Sequence, residues 1–217
     1  WGRILDILAR KAKEGVDVRV MYDGTCEFSL LPHDYPKRLE KLGIKAKTFA
    51  PVTPFISTHY NYRDHRKILV IDGKVAFNGG VNLAVEYINR KERFGHWKDT
   101  AVMVRGEAVR NYTVMFLQLW DTAAMTPPGE LMREPETLPL TDHEAADGFI
   151  QPFSDSPLDS EPVGKLAYME LIHNARKEVC ITTPYLIIDE EMMNALCFAA
   201  KKGVDVKLIT PHIPDKW

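Results

Sequence analysis

His65 and Lys67 stand two residues apart in the run Tyr60-Asn61-Tyr62-Arg63-Asp64-His65-Arg66-Lys67, and Gly79, Gly80 and Asn82 follow. Histidine titrates near neutrality and serves as acid, base or nucleophile, while an ammonium and a carboxamide offer positive potential and a donor to an anion. Two adjacent glycines let backbone approach a ligand closely, and N–H groups opening a helix favour negative charge. The set suits an anionic ligand such as a phosphate ester. The same residues also make an ordinary hairpin with a polar entry and a glycine-rich exit, and on residue type the two readings stand level.

For these side chains to converge, two neighbouring strands must end at the same place. Lys67 to Ile71 is apolar and β-branched, which predicts a buried strand. Asp72-Gly73 is a two-residue turn signal, and Val75-Ala76-Phe77 returns as the partner strand. Side chains alternate along a strand, so His65 and Lys67 face one way and Arg66 the other. By the same parity Asp72 faces away from His65 and suits the turn better than the chemistry. Leu83 to Tyr87 reads as a short helix, with Asn82 placed either to cap it or to donate to a phosphate oxygen. Asp99 opens a further strand through Val104.

A wider pattern frames this hairpin. Ile4, Leu5, Ile7 and Leu8 predict an amphipathic helix to Lys13, which Gly15 stops before a strand over Val16–Val20. Near the other end, Glu191 to Lys202 reads as a helix that Gly203 stops before Val204-Asp205-Val206-Lys207-Leu208. The segments 13–20 and 201–208 share five identical residues at an offset of 188, the mark of a duplicated unit. Residues 127–162 hold seven of the 14 prolines, and residues 121–162 carry ten Asp/Glu against Arg133. Punctuation and charge of this kind predict a connection between lobes. Phe149-Ile150-Gln151 then reads as the first strand of a second lobe. Val163 to Lys177 reads as a helix with Leu166, Met169, Ile172 and Ala175 inward, and Val179 to Thr183 as a buried strand. The expected organisation is a first lobe over 1–124, an acidic Pro-rich linker over 125–147, and an incomplete second lobe over 148–217 that Trp217 cuts short. The expected fold class is α/β, a mixed sheet flanked by helices.

With 45% hydrophobic and 27% charged residues, the composition excludes a disordered or fibrous chain. No apolar run approaches the roughly 18 residues of a membrane span. Cys26, Cys180 and Cys197 form no C-x-x-C, which argues against a disulfide scaffold or a zinc ribbon and fits a reducing compartment. They read as small buried apolar side chains. His59, His65 and His96 lack metal-ligand spacing, so no metal is expected. The net charge of −2 conceals a balance of +7 over residues 1–120, which suits an anionic partner.

The motif His65, Lys67, Asp72 followed by Gly79, Gly80 and Asn82 resembles the signature of the phospholipase D superfamily. Its flanks are similar to bacterial cardiolipin synthases in Asn61 to Lys67, in Arg93-Phe94-Gly95-His96-Trp97-Lys98-Asp99-Thr100, in Thr182-Thr183-Pro184-Tyr185, and in the stretch from Asp189 to Val206. The resemblance implies that His65 or its partner histidine attacks a phosphodiester phosphorus to form a phosphohistidine, without metal or cofactor. Lys67 and Asn82 would hold the phosphoryl oxygens, Asp99 would orient His65, and Asp72 completes the catalytic signature. Gly79, Gly80, Arg63 and Tyr185 would meet the substrate. A second histidine would act as acid and base, carried on a second copy of the motif near position 253 by the offset of 188. One phosphatidylglycerol would donate and another accept, releasing glycerol, at the cytoplasmic face of the cell membrane; no nucleic acid is expected. The rival readings are a single-motif nuclease or phospholipase acting as a homodimer, and a non-catalytic remnant that binds anionic lipid.

Overall fold

A computed structural model describes residues 1–51, 63–93, 95–122, 148–155 and 160–213. The chain divides into two compact units, Trp1–Lys91 with Lys98–Pro152, and Glu92–Trp97 with Phe153–Trp217. The expected linker over 125–147 lies outside the described residues.

In the first unit α1 (Gly2–Lys13) turns Leu5, Leu8, Ala9 and Ala12 onto a core of Val18, Leu39 and Ile44. The helix stops in a Schellman cap. Gly15, at φ 90°, donates to the Ala12 carbonyl (3.0 Å), and the Val16 N–H donates to Lys11 (3.1 Å). The cap takes up Val16, and the parallel partner starts only at Lys45. Strand β1 therefore runs over Arg19–Asp23, three residues later than expected. It pairs with β2 (Lys45–Phe49) after a crossover through α2 (Cys26–Ser29) and α3 (Tyr35–Glu40).

An antiparallel sheet follows, in the order β3 (Ile68–Ile71), β4 (Val75–Gly79), β5 (Ala101–Arg105). Asp72 and Gly73 take φ of 52° and 63°, so the two-residue hairpin is the expected one. Val70, Ala76 and Val104 lie in register and pack with Val109 and Tyr112 of α4 (Val109–Thr122), a helix the sequence reading did not single out. On the opposite face Leu69, Phe77 and Met103, also in register, are exposed. The strand expected to be buried is thus covered on one face only, because an apolar run records β-propensity as well as burial. The helix expected over Leu83–Tyr87 is a single 3-10 turn, Glu86–Ile88, ended by Asn89 in the left-handed region.

The second unit packs α5 (Val163–Asn174) and α6 (Glu190–Lys201) on a parallel pair, β6 (Glu178–Thr182) and β7 (Asp205–Ile209). Asp189 caps α6 by accepting from the Met192 N–H at 2.9 Å. Gly203, at φ 92°, donates to Ala200 (3.0 Å) and Val204 to Ala199 (3.1 Å), the cap of α1 reproduced bond for bond. The ion pair Arg19–Asp17 (2.9 Å) likewise has its counterpart in Lys207–Asp205 (2.6 Å). Three expectations are corrected here. Phe149–Gln151 forms no strand and Phe149 is fully exposed, Leu166 faces outward, and Cys180 and Cys197 are exposed while Cys26 is half-buried. Parallel and antiparallel strands with flanking helices establish the mixed α/β fold class.

Candidate active site

Parallel pairing points β1 and β2 the same way, so their carboxyl ends open together, the usual place for a ligand in an α/β fold. The run Arg63–Lys67 crosses there, on backbone that joins no strand until Ile68. Asp23, the last residue of β1, accepts the Asp64 N–H at Oδ2 (3.0 Å). Arg63 Nη1 donates to the Ala50 carbonyl just past β2 (2.7 Å) and lies 3.6 Å from Asp23 Oδ1. Asp64 in turn accepts from Arg66 Nε at 2.8 Å. His65, in the middle of this fastened run, is exposed.

Lys67 Nζ donates to the His65 carbonyl at 2.6 Å, which places the ammonium against the backbone of the candidate nucleophile. Burial holds the Lys67 amine below the usual lysine range, while the negative charges of Asp64 and Asp99 pull it back up, as does Cys26 when it is ionised. The Cys26 thiol is pushed up, first by burial, then by Asp23 and Glu27. Glu27 is itself committed, accepting from the Tyr22 hydroxyl (2.6 Å) and Thr48 Oγ1 (2.7 Å). Burial and that bond raise the Tyr22 phenol well above its ordinary value.

Opposite this run, β4 ends at Gly79 and the chain passes Gly80. A Cβ on Gly80 would lie 2.6 Å from Asp99 Oδ1, so glycine makes the room that the Asp99 carboxylate uses. The backbone supports the approach through Gly80 N–H to Thr100 (3.3 Å) and Thr100 N–H to Asp99 Oδ1 (2.8 Å). Asn82 caps no helix; its amide donates to the Tyr87 hydroxyl at 2.5 Å, which fixes the carboxamide on the 3-10 turn.

His65, Lys67, Gly80 and Asp99 are thus tied into one neighbourhood, with Gly79 and Asn82 on the adjoining strand exit. Asp72 is not part of it: it sits in the hairpin turn at the far end of β3. Arg63 is half-buried in contacts with Asp23 and Ala50. Tyr185 belongs to the second unit and is exposed; its N–H donates to Thr183 Oγ1 (3.3 Å). That unit also carries a groove of about 540 Å³, lined by His173, Glu191, Asn194, Cys197 and Lys201 among others, with no residue of the motif in it. Sequence reasoning missed Asp23, whose local signal, Asp-Gly-Thr after a strand, reads as a simple turn.

The electrostatics give a direct test. Asp99→Asn removes a negative charge that holds the Lys67 proton on, so the Lys67 amine is expected to titrate lower still in this variant. Following the Lys67 Nζ resonance by NMR against pH measures it, and an unmoved titration would separate Asp99 from Lys67.

Among the described residues no group of His, Cys, Asp and Glu is arranged to hold a metal ion, and no helix is long and apolar enough to cross a membrane.

The family profile described as "Cardiolipin synthase, PLD-like domain" matches residues 2–120 and 168–217. An uncharacterized protein of Streptococcus mutans is 61% identical over 220 residues, spanning 100% of this chain and 46% of its own length. A protein of Halalkalibacterium halodurans named cardiolipin synthase is 41% identical over 215 residues, spanning 98% of this chain and 42% of its own. The chain therefore spans less than half the length of these curated relatives. Among solved structures, the crystal structure of polyphosphate kinase from Porphyromonas gingivalis superposes with a TM-score of 0.52 at 16% identity, over 98% of this chain and 32% of the kinase, a likeness of fold.

Proposed function

The chain belongs to the cardiolipin synthase family of phospholipase D-like domains, and from that premise we propose that it supplies the nucleophilic half of a phosphatidyltransferase site. The observation that carries this reading is the bond from Lys67 Nζ to the His65 carbonyl, with the Asp99 carboxylate close against Gly80 on the adjoining strand exit. A nucleophile, a fixed cation and a close backbone approach are what attack at a phosphodiester requires.

In this mechanism a His65 ring nitrogen attacks the phosphorus of phosphatidylglycerol. The P–O bond to glycerol breaks, and the departing alkoxide takes a proton from a second histidine. The phosphatidyl group then rests on His65. A hydroxyl of a second phosphatidylglycerol gives its proton to the second histidine and attacks phosphorus, which forms cardiolipin and frees His65. Lys67 and Asn82 stabilise the phosphoryl oxygens, Asp99 orients His65, and Gly79 and Gly80 keep the strand exit open to the lipid phosphate. The second histidine comes from a second copy of the motif, for which the relatives' greater length leaves room. The mildly basic stretch of residues 1–120 lies toward an anionic membrane surface, on the cytoplasmic side.

The test uses the protein as its gene encodes it, with phosphatidylglycerol vesicles labelled in the glycerol headgroup. Free glycerol and cardiolipin should appear in equal amounts, and an alkaline quench should trap a phosphatidyl adduct on the peptide containing His65. Phosphatidic acid as the main product, or an adduct absent from that peptide, would overturn the reading.

A further inference from the structure

The candidate nucleophile stands on backbone outside the sheet, since β3 begins only at Ile68. Side chains therefore set the position of His65, and they converge on Asp23. Its carboxylate, 11% exposed, closes a local turn at Oδ1 with the Thr25 N–H (2.8 Å) and Thr25 Oγ1 (2.6 Å). Its other oxygen reaches 41 residues along the chain to the Asp64 N–H at 3.0 Å. Arg63, 3.6 Å away and also bonded to Ala50, neutralises the carboxylate and closes the other side. A local turn needs only the first oxygen. The second spends a charged, nearly buried acceptor on the amide that immediately precedes His65, and bonds to charged groups are the stronger kind.

We propose that Asp23 is the positioning residue for His65: it fastens the backbone of residues 63–65 to the carboxyl end of β1 and so fixes where the imidazole meets phosphorus. The inference rests on the reading of His65 as nucleophile. It assigns Asp23 no contact with the lipid. Loss of the anchor leaves lipid binding largely intact and lets the ring wander, and misplacement of about 1 Å costs on the order of 100-fold in rate.

The experiment compares wild type, Asp23→Ala and Asp23→Asn in the protein as encoded. It measures amide hydrogen exchange across residues 63–67 and steady-state transfer from phosphatidylglycerol vesicles. Asp23→Ala should raise exchange in that segment about tenfold or more and lower kcat about 100-fold, with KM held within about threefold. Asp23→Asn keeps an oxygen for the Asp64 amide, so it should restore exchange protection and bring kcat back to within about tenfold of wild type. Unchanged exchange in a folded Asp23→Ala protein, or its kcat within about threefold of wild type, would overturn the proposal. If Asp23→Ala does not fold, Asp23→Asn decides: protection retained with a 100-fold loss of kcat would show that Asp23 acts otherwise than by holding the backbone. Failure of the parent reading looks different, because a wild type without product still reports the anchor through exchange alone.

Discussion

Replacing His65 with alanine is expected to lower cardiolipin formation by about 10⁴-fold or more, leaving the fold and lipid binding in place. The side chain is exposed and makes none of the contacts that fasten residues 63–67, which run instead through Asp23, Ala50, Asp64 and the His65 carbonyl. Alanine preserves that carbonyl and the Lys67 bond to it. The loss therefore falls on the chemical step, about 5–6 kcal/mol of barrier. Lipid flotation and thermal melting measured beside turnover separate the terms: binding and melting should match wild type while product disappears. Substantial residual synthesis would remove His65 from the nucleophile's place.

The second large effect is on stability. Gly79→Ala would put a Cβ 2.5 Å from the Thr100 carbonyl oxygen and 2.8 Å from Ala101 Cα. Both are backbone atoms of the adjoining segment at the start of β5, and no rotamer can move them aside. Gly79 pairs with Ala101 at the end of the β4–β5 ladder, so the strands must separate where the site begins. Overpacking against backbone of this kind costs about 3 kcal/mol. For a protein of this size that lowers the melting temperature by about 6–12 °C. Calorimetry of the variant checks it, and a melting temperature within about 2 °C of wild type would mean that β5 yields at little cost.

What could be read from the sequence was what neighbouring residues decide. The hairpin at Asp72-Gly73 follows from two residues that tolerate positive φ, and both helix stops follow from Gly15 and Gly203. The strand parity of the hairpin led to an expected convergence of His65, Lys67, Gly80 and Asn82, and only the family resemblance brought Asp99 to that set. Features set by distant partners were not legible. The start of β1 depends on Lys45, which lies in another strand. The exposed face of Leu69, Phe77 and Met103 depends on which side α4 covers, and a run of Ile, Leu and Val looks alike in either case. Phe149-Ile150-Gln151 has strand-forming residues but pairs with no strand among the described residues. Asp23 was passed over because its decisive contact is with an amide 41 positions away.

That separation also sets an order of assembly. The β3–β4 hairpin closes through two residues, and each βα unit folds its own strand against its own helix, so these pieces need only short loops to form. The clasp between Asp23 and Asp64 can shut only after β1 and the hairpin have both found their places. It is correspondingly easier to open than the strand ladders beside it, since it rests on a few side-chain bonds. A newly made chain thus acquires its framework before the backbone around His65 is fastened to β1.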